Sequence, residues 1–162
     1  MNKVLRILKK RENATVPQRA TEGSAGVDLC ACIEEPFLLP AHGRAMIPTG
    51  IAIGLPSSEY GAFVFARSGL GIKKGITLSN SVGVIDSDYR GELMVPLHNH
   101  SDKPFTVQPG DRVAQMVVTP VLQPDVREIP MGEPLPESER GTGGFGSTGI
   151  SEVAAPREEM GR

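Results

Sequence analysis

Tryptophan is absent from this chain, and aromatic residues of all kinds make up only 4% of it. A sequence so poor in flat side chains offers no stacking platform for a single-stranded nucleic acid. Charge of one sign is lacking too. The formal net charge is −2, so there is no general basic surface to take up a phosphate backbone. No apolar run approaches the roughly 20 residues that a membrane-spanning helix needs. The first ten residues are basic, with a short apolar stretch from Val4 to Leu8. That stretch is too short for a signal-peptide core, and no small-residue cleavage site follows it. Neither nucleic acid nor membrane is expected as a partner, and the cytoplasm is the expected compartment. Cysteine is nearly missing. Cys30 and Cys32 stand two apart, on one side of a strand but too far along it for an easy mutual bond. Structural zinc usually takes four ligands, so this pair alone is a poor metal site. Small buried hydrophobes in a reducing compartment are the expectation.

Glycine and proline are plentiful, at 19 and 14 among 162 residues. They cut the chain into short pieces and leave little room for a long helix. Between the breaks the hydrophobic period is two. Ile47 precedes the turn Pro48-Thr49-Gly50, and Ile51, Ile53 and Leu55 alternate after it. Ala62, Val64 and Ala66 alternate with Phe63 and Phe65, and Ile76 and Leu78 with Thr77 and Ser79. Leu93, Val95 and Leu97 follow, then Val113 and Val117 with Gln115 between them. Many short strands with regular turn signals predict an all-β sandwich or barrel. One short helix is predicted after Ser68, limited by Gly69, Gly71 and Gly75. The length suits one domain, a core over residues 1–122. From Gln123 onward Pro124, Pro130, Pro134 and Pro136 break any regular element. Residues 123–162 therefore read as an extended, flexible C-terminal arm with a Gly-rich stretch at 140–149 and a mobile tail.

Several clusters could carry chemistry. In the Gly-rich stretch, glycines let backbone N–H groups approach an anion, and Ser147 and Thr148 add hydroxyl donors. Arg140 adds a charge suited to phosphate, and Phe145 a face that could stack on a base. The bland alternative is a linker. Ala66-Arg67-Ser68-Gly69 can present a guanidinium, a hydroxyl and an amide to one phosphate group. Equally, it can be a capped strand-to-helix turn with Ser68 as the cap. Asp86, Asp88, Tyr89 and Arg90 crowd a turn between two apolar runs. Asp86 directly follows Val84 and Ile85. A carboxylate at the mouth of a strand can be held rigidly enough to orient a water, although a solvated hairpin turn would look the same. Gln115 between Val113 and Val117 needs an amide partner if that face is buried, from a ligand phosphate or from the sheet backbone. Asn80, in line with Ile76, Leu78 and Val82, invites the same argument. His98 and His100 form a pair that lacks a third metal ligand nearby and read as surface histidines.

Each cluster is modest alone, but their order is informative. Ala25-Gly26-Val27-Asp28-Leu29 comes first, then Ala66 to Gly69, then Gly83-Val84-Ile85-Asp86-Ser87-Asp88-Tyr89-Arg90-Gly91. Pro109-Gly110-Asp111-Arg112-Val113-Ala114-Gln115 and Arg140 to Gly149 complete the series. Together they resemble the five motifs of the trimeric dUTPase family, over most of the chain. The resemblance implies a β-jelly roll, a β-clip-type barrel, assembled as a homotrimer whose three sites are each shared among subunits. It implies hydrolysis of dUTP to dUMP and pyrophosphate with Mg²⁺, which would keep uracil out of DNA and supply dUMP for dTTP synthesis.

The residue roles also follow from the resemblance. Asp86 would orient the attacking water. Tyr89 would pack under the deoxyribose and leave no room for a 2′-hydroxyl. The hairpin from Asn80 to Met94 would read uracil, largely through backbone groups near Gly83, Val84, Ile85 and Met94. Arg67, Ser68, Gly69 and Gln115 would hold phosphates, and Asp28 would reach Mg²⁺ through water. From the arm, Phe145 would cover the uracil ring, while Arg140, Gly146, Ser147 and Thr148 would meet the γ-phosphate. Two other readings suit the same scaffold: a dCTP deaminase, which would use a Glu to activate water at the ring, and a non-catalytic nucleotide-binding regulator. The Asp86-x-Asp88-Tyr89 string and the Phe-containing arm favour hydrolysis.

Overall fold

The computed structural model describes residues 4–143. The chain divides into two compact units, Met1–Pro124 and Asp125–Arg162. The first unit is built of antiparallel strands: β1 (Arg6–Lys9), β2 (Val27–Cys30), β3 (Phe37–Leu39), β4 (Arg44–Pro48), β5 (Ile51–Gly54), β6 (Tyr60–Phe65), β7 (Ile76–Leu78), β8 (Val82–Ile85), β9 (Met94–Asn99), β10 (Phe105–Val107) and β11 (Arg112–Pro120). One short helix, α1 (Ser68–Lys74), lies between β6 and β7. The strands form a four-stranded sheet in the order β2-β11-β6-β8, a three-stranded sheet β4-β9-β7, and the pairs β1-β5 and β3-β10. This is a β-jelly roll, as the resemblance implied. Among the described residues, no helix is long and apolar enough to cross a membrane.

The period-two pattern builds the core. Along β9 the inward residues Val95, Leu97 and Asn99 are fully buried while Met94 is exposed. Leu29, Leu39, Ile47, Ile51, Ile76, Val107 and Met116 meet them in the interior. At roughly 1.5–3 kcal/mol for each fully buried aliphatic side chain, these contacts supply the main stabilisation. Asn99 is the buried polar exception. Its Nδ2 donates to the carbonyls of Pro40 at 3.0 Å and Lys103 at 2.8 Å, and its Oδ1 accepts from the Ser101 amide at 2.9 Å.

Two expectations about buried faces are corrected. Val113, Gln115 and Val117 do not share one face. A β-bulge shifts the register of β11 against β2 between Arg112 and Ala114. The extra residue turns Val113 into the core beside Ala114 and Met116, and Gln115 points the other way. Asn80 does not continue the buried line of Ile76 and Leu78. The chain turns at Ser81, which has a positive φ of 62°, and Asn80 is exposed. The helix is where it was predicted, but Ser68 is its first residue, not its cap. Arg67 occupies the cap position, with extended backbone and no side-chain capping bond, and Gly75 closes the helix in the left-handed conformation at φ 70°. Cys30 is half-buried and Cys32 buried, and both are free thiols.

In the second unit, residues 125–143 carry no helix or strand and are exposed. Short turns punctuate them: the Glu133 amide donates to the Pro130 carbonyl, and the Gly141 amide to that of Ser138.

Candidate active site

The four-stranded sheet gathers one group of side chains. Gln115 on β11 stands opposite Asp28 on β2 and opposite Phe65 on β6. Residues directly opposite in a sheet share a face, so Asp28 and Gln115 lie side by side. Arg67, two residues beyond Phe65, projects toward them. Its Nε donates to Asp28 Oδ1 at 2.8 Å. The bulge adds Arg112, which an unbroken strand would have turned inward. Its Nη1 lies 3.2 Å from Asp28 Oδ2. The Asp28 carboxylate is thus held between two guanidinium groups. Gln115 Nε2 donates to the Ala66 carbonyl at 3.0 Å, which satisfies its amide from the backbone and leaves its oxygen free.

The chain then enters α1. The carbonyl of Arg67 accepts from the amides of Leu70 and Gly71, so the Ser68 and Gly69 amides have no intrahelical acceptor. Asp28, Arg67, Ser68, Gly69 and Gln115 all line a cavity of about 450 Å³, as do Ser24 to Val27. Gly26 permits a close approach there, since a Cβ on it would stand 2.8 Å from the Met116 carbonyl oxygen. Beside the Asp28 carboxylate, which is paired with Arg67 and Arg112, the lining offers an anion a guanidinium, a hydroxyl, amides and a carboxamide.

A second cavity, of about 320 Å³, lies along the hairpin between β8 and β9. Val84, Ile85, Asp86, Tyr89 and Met94 line it, together with Met46, Glu92 and Leu93. It shares no residue with the first. The Tyr89 amide donates to the Asp86 carbonyl at 3.2 Å and closes the turn. Arg90 Nη1 donates to the carbonyls of Ser87 and Tyr89, both at 2.8 Å. The side chain of Asp86 is thereby carried on a braced turn at the end of β8. Among the described residues that strand is the sheet's edge, paired to β6 on one side alone, which leaves its outer N–H and C=O groups available to a ligand. Asn80 and Gly83 are next to each other: a Cβ on Gly83 would stand 3.7 Å from Asn80 Nδ2 and 3.2 Å from the Val64 side chain. Neither lines the cavity itself.

Two of these residues carried no role in the sequence reading. Arg112 reaches Asp28 only because of the bulge, which period-two counting cannot foresee. Glu92 braces the hairpin through Gly50 and Arg11, both distant in sequence. Of the arm residues, Arg140 is exposed in the turn from Ser138 to Gly143. Phe145, Gly146, Ser147 and Thr148 lie outside the described residues. His100 Nε2 is 2.7 Å from Thr77 Oγ1 and its ring is 4.0 Å from that of His98. Among the described residues, no group of three or more His, Cys, Asp or Glu is placed to hold a metal ion.

The fold and its two cavities, one on the four-stranded sheet with a lining suited to an anion and one along the β8–β9 hairpin lined by Asp86 and Glu92, define the class: a jelly-roll protein with two separate ligand-sized pockets. The particular member of that class follows from comparison: the dUTPase family profile matches residues 12–149, and the chain belongs to the dUTPase family. The deoxyuridine 5′-triphosphate nucleotidohydrolase of Neisseria meningitidis serogroup B is 50% identical over 145 residues, covering 90% of this chain and 95% of the relative. That of Desulfitobacterium hafniense is 50% identical over 144 residues, covering 89% and 93%. Among solved structures, the dUTPase of Staphylococcus bacteriophage 80alpha with dUPNHPP superposes with a TM-score of 0.79 at 26% identity, covering 91% of this chain and 99% of that one.

Proposed function

We propose that this chain hydrolyses dUTP to dUMP and pyrophosphate, with Asp86 activating the attacking water and with each site assembled between subunits of a homotrimer. The observation that carries the assembly is the separation of the two cavities. The anion-binding residues Asp28, Arg67, Ser68, Gly69 and Gln115 line one, Asp86 and Tyr89 line the other, and no residue is common to both. A nucleoside triphosphate needs both kinds of lining at once. A second copy of the chain supplies the missing half, and the Gly-rich arm of a third closes it.

In this reading the α-phosphorus sits against the Asp86 carboxylate. A water between them donates a hydrogen bond to Asp86, attacks in line and gives up its proton to that side chain, while pyrophosphate leaves. The triphosphate carries about four negative charges, so much of the acceleration is charge neutralisation. Arg67 and the Ser68 and Gly69 amides supply it at the phosphates, joined by Arg140 from the arm. The open edge of β8 and the Met94 backbone read the uracil rim, Tyr89 lies under the sugar, and Phe145 covers the ring. Arm closure expels water and fixes the alignment.

Mg²⁺, when bound, would shield the phosphates and hold the triphosphate in one shape. The donor set fits an ion that arrives with its nucleotide. Among the described residues no cluster of carboxylates is placed to hold a metal ion, and Asp28 keeps lone pairs for an outer-sphere water after accepting from Arg67 and Arg112. The test is pyrophosphate release from a panel of dUTP, UTP, dTTP and dCTP, with and without Mg²⁺. Release from dUTP alone is expected. Ammonia released from dCTP would instead support a deaminase, and dUTP binding without pyrophosphate release a regulator.

A further inference from the structure

The hairpin that carries Tyr89 is tied to the turn at Gly50 by the Glu92 side chain and, one residue on, by Leu93, whose amide donates to the Ile51 carbonyl at 2.8 Å and whose carbonyl accepts from the Thr49 amide at 3.2 Å. Glu92 Oε1 accepts from the Gly50 amide at 2.8 Å, and Oε2 pairs with Arg11 at 3.3 Å. Gly50 is a fixed anchor. Its φ is 70°, and a Cβ there would stand 2.6 Å from both the Ala14 Cβ and the Cys32 Sγ, so only glycine fits. The Gly50 carbonyl in turn accepts from the Lys10 amide at 2.7 Å. The backbone of the same Glu92 holds the tyrosine, because the Tyr89 hydroxyl donates to the Glu92 carbonyl at 3.1 Å. Gly91 lets the ring fold back that far, since a Cβ on it would collide with the phenolic oxygen. The ring position is therefore set through the Glu92–Leu93 peptide: its carbonyl accepts from the Tyr89 hydroxyl, its N–H is held by Ile51, and the Glu92 side chain adds the tie to Gly50.

We propose that Glu92 is a positioning residue for sugar selectivity: its carboxylate anchors the hairpin to Gly50, and its carbonyl fixes the Tyr89 ring at the one height that leaves no room for a 2′-hydroxyl. The proposal rests on the reading of Tyr89 as the floor under the deoxyribose. Rejecting an extra hydroxyl by steric exclusion demands a surface fixed to within a fraction of an ångström, because a floor that yields simply accommodates the larger sugar. A tyrosine that is 44% exposed has no core packing to fix it. Its hydroxyl contact and the bare Gly91 do so instead. Glu92 acts on the ring and touches none of the reacting atoms.

The experiment compares kcat/KM for dUTP and for UTP in the full-length chain and in Glu92→Ala, Glu92→Gln, Tyr89→Phe and Tyr89→Ala. In Glu92→Ala and Tyr89→Phe the dUTP-over-UTP preference is expected to fall about tenfold, chiefly because UTP turnover rises. Glu92→Gln keeps an acceptor for the Gly50 amide and should retain the preference. A merely structural role would lower both substrates together and leave the ratio alone, and that result would overturn the proposal. If Glu92→Ala does not fold, Tyr89→Phe decides alone. Tyr89→Ala separates the two layers of the argument. An unchanged ratio there removes the sugar floor and this proposal with it. A ratio lost in Tyr89→Ala but intact in Tyr89→Phe and Glu92→Ala removes Glu92 only.

Discussion

The Nε of Arg67 donates to Asp28 across an intervening strand, at 2.8 Å. Asp28 lies on β2 and Arg67 two residues past β6, and β11 runs between those strands. Gln115 occupies the rung beneath the pair, and Arg112 grips the other carboxylate oxygen. Asp28 therefore aims Arg67 as much as it serves any ligand of its own. Replacing Arg112 by Met removes one exposed ion-pair partner, an interaction worth about 0.2–1 kcal/mol, so kcat/KM for dUTP should fall by no more than about fivefold. Asp28→Asn weakens the hold on both guanidiniums and should cost roughly tenfold or more. Steady-state kinetics on the two variants checks this. Equal losses would mean that Asp28 does not act through Arg67.

In the proposed reaction Asp86 carries the heaviest demand. Its turn is braced by the Tyr89 amide and by Arg90, and those contacts use backbone carbonyls, leaving the Asp86 carboxylate uncommitted. Asp86→Asn keeps the shape of the turn and removes the proton acceptor. Turnover should drop by about 10²–10⁴-fold, the range typical of a lost general base. Binding of a non-hydrolysable dUTP analogue, followed by calorimetry, should change little. Unimpaired turnover would take the general base away from this residue.

How much of this was legible beforehand depended on whether a contact is local. Alternation placed Val95 and Leu97 in the core, and the glycines around Ser68 limited α1, because period and backbone freedom act over a few residues. The face of Gln115 was misread because one extra residue in β11 inverts everything beyond it, and nothing in Arg112-Val113-Ala114 distinguishes a bulge from a regular strand. Asn80 was misread for a similar reason, as the turn at Ser81 ends the buried line. The role of Glu92 was invisible because its partners Gly50 and Arg11 are more than forty and eighty residues away along the chain. The site residues were recognisable as an ordered set of motifs, whereas their division between two cavities needed the fold.

Asn99 sets the strongest stability prediction. It is fully buried, and it satisfies the carbonyls of Pro40 and Lys103 and the amide of Ser101. Asn99→Ala strands these groups in the interior. The cost should be about 2–3 kcal/mol, or a melting temperature lowered by roughly 5–10 °C. Thermal melts of both proteins at one subunit concentration, so that assembly contributes equally, provide the comparison. A shift below a degree would show that water replaces the amide.

Removal of residues 140–162 takes away the Gly-rich stretch with Arg140 and Phe145, and leaves every strand of the jelly roll in place. The shortened chain should fold and keep the subunit number of the full chain while losing nearly all dUTP hydrolysis. Circular dichroism, light scattering and pyrophosphate release report the three properties separately. Retention of full activity would exclude the arm from the reaction.

The buried thiol of Cys32 gives the fold a pH dependence with a definite sign. Burial pushes its pKa up, with Arg11 opposing and Glu92 adding to the effect. A thiol that binds its proton more tightly folded than unfolded stabilises the fold fully below its unfolded pKa of about 8.5. That contribution is lost as the pH rises through the higher folded value, because the unfolded state then releases its proton first. Between about pH 7 and 9.5 the urea midpoint of the native sequence should therefore fall further than that of Cys32→Ala, even though the variant starts lower for want of a buried side chain. The Asn13 oxygen that accepts from the thiol at 3.0 Å works in the same direction, since a thiolate would face it without a proton to share. Parallel slopes in the two proteins would show that Cys32 is ionised as readily folded as unfolded.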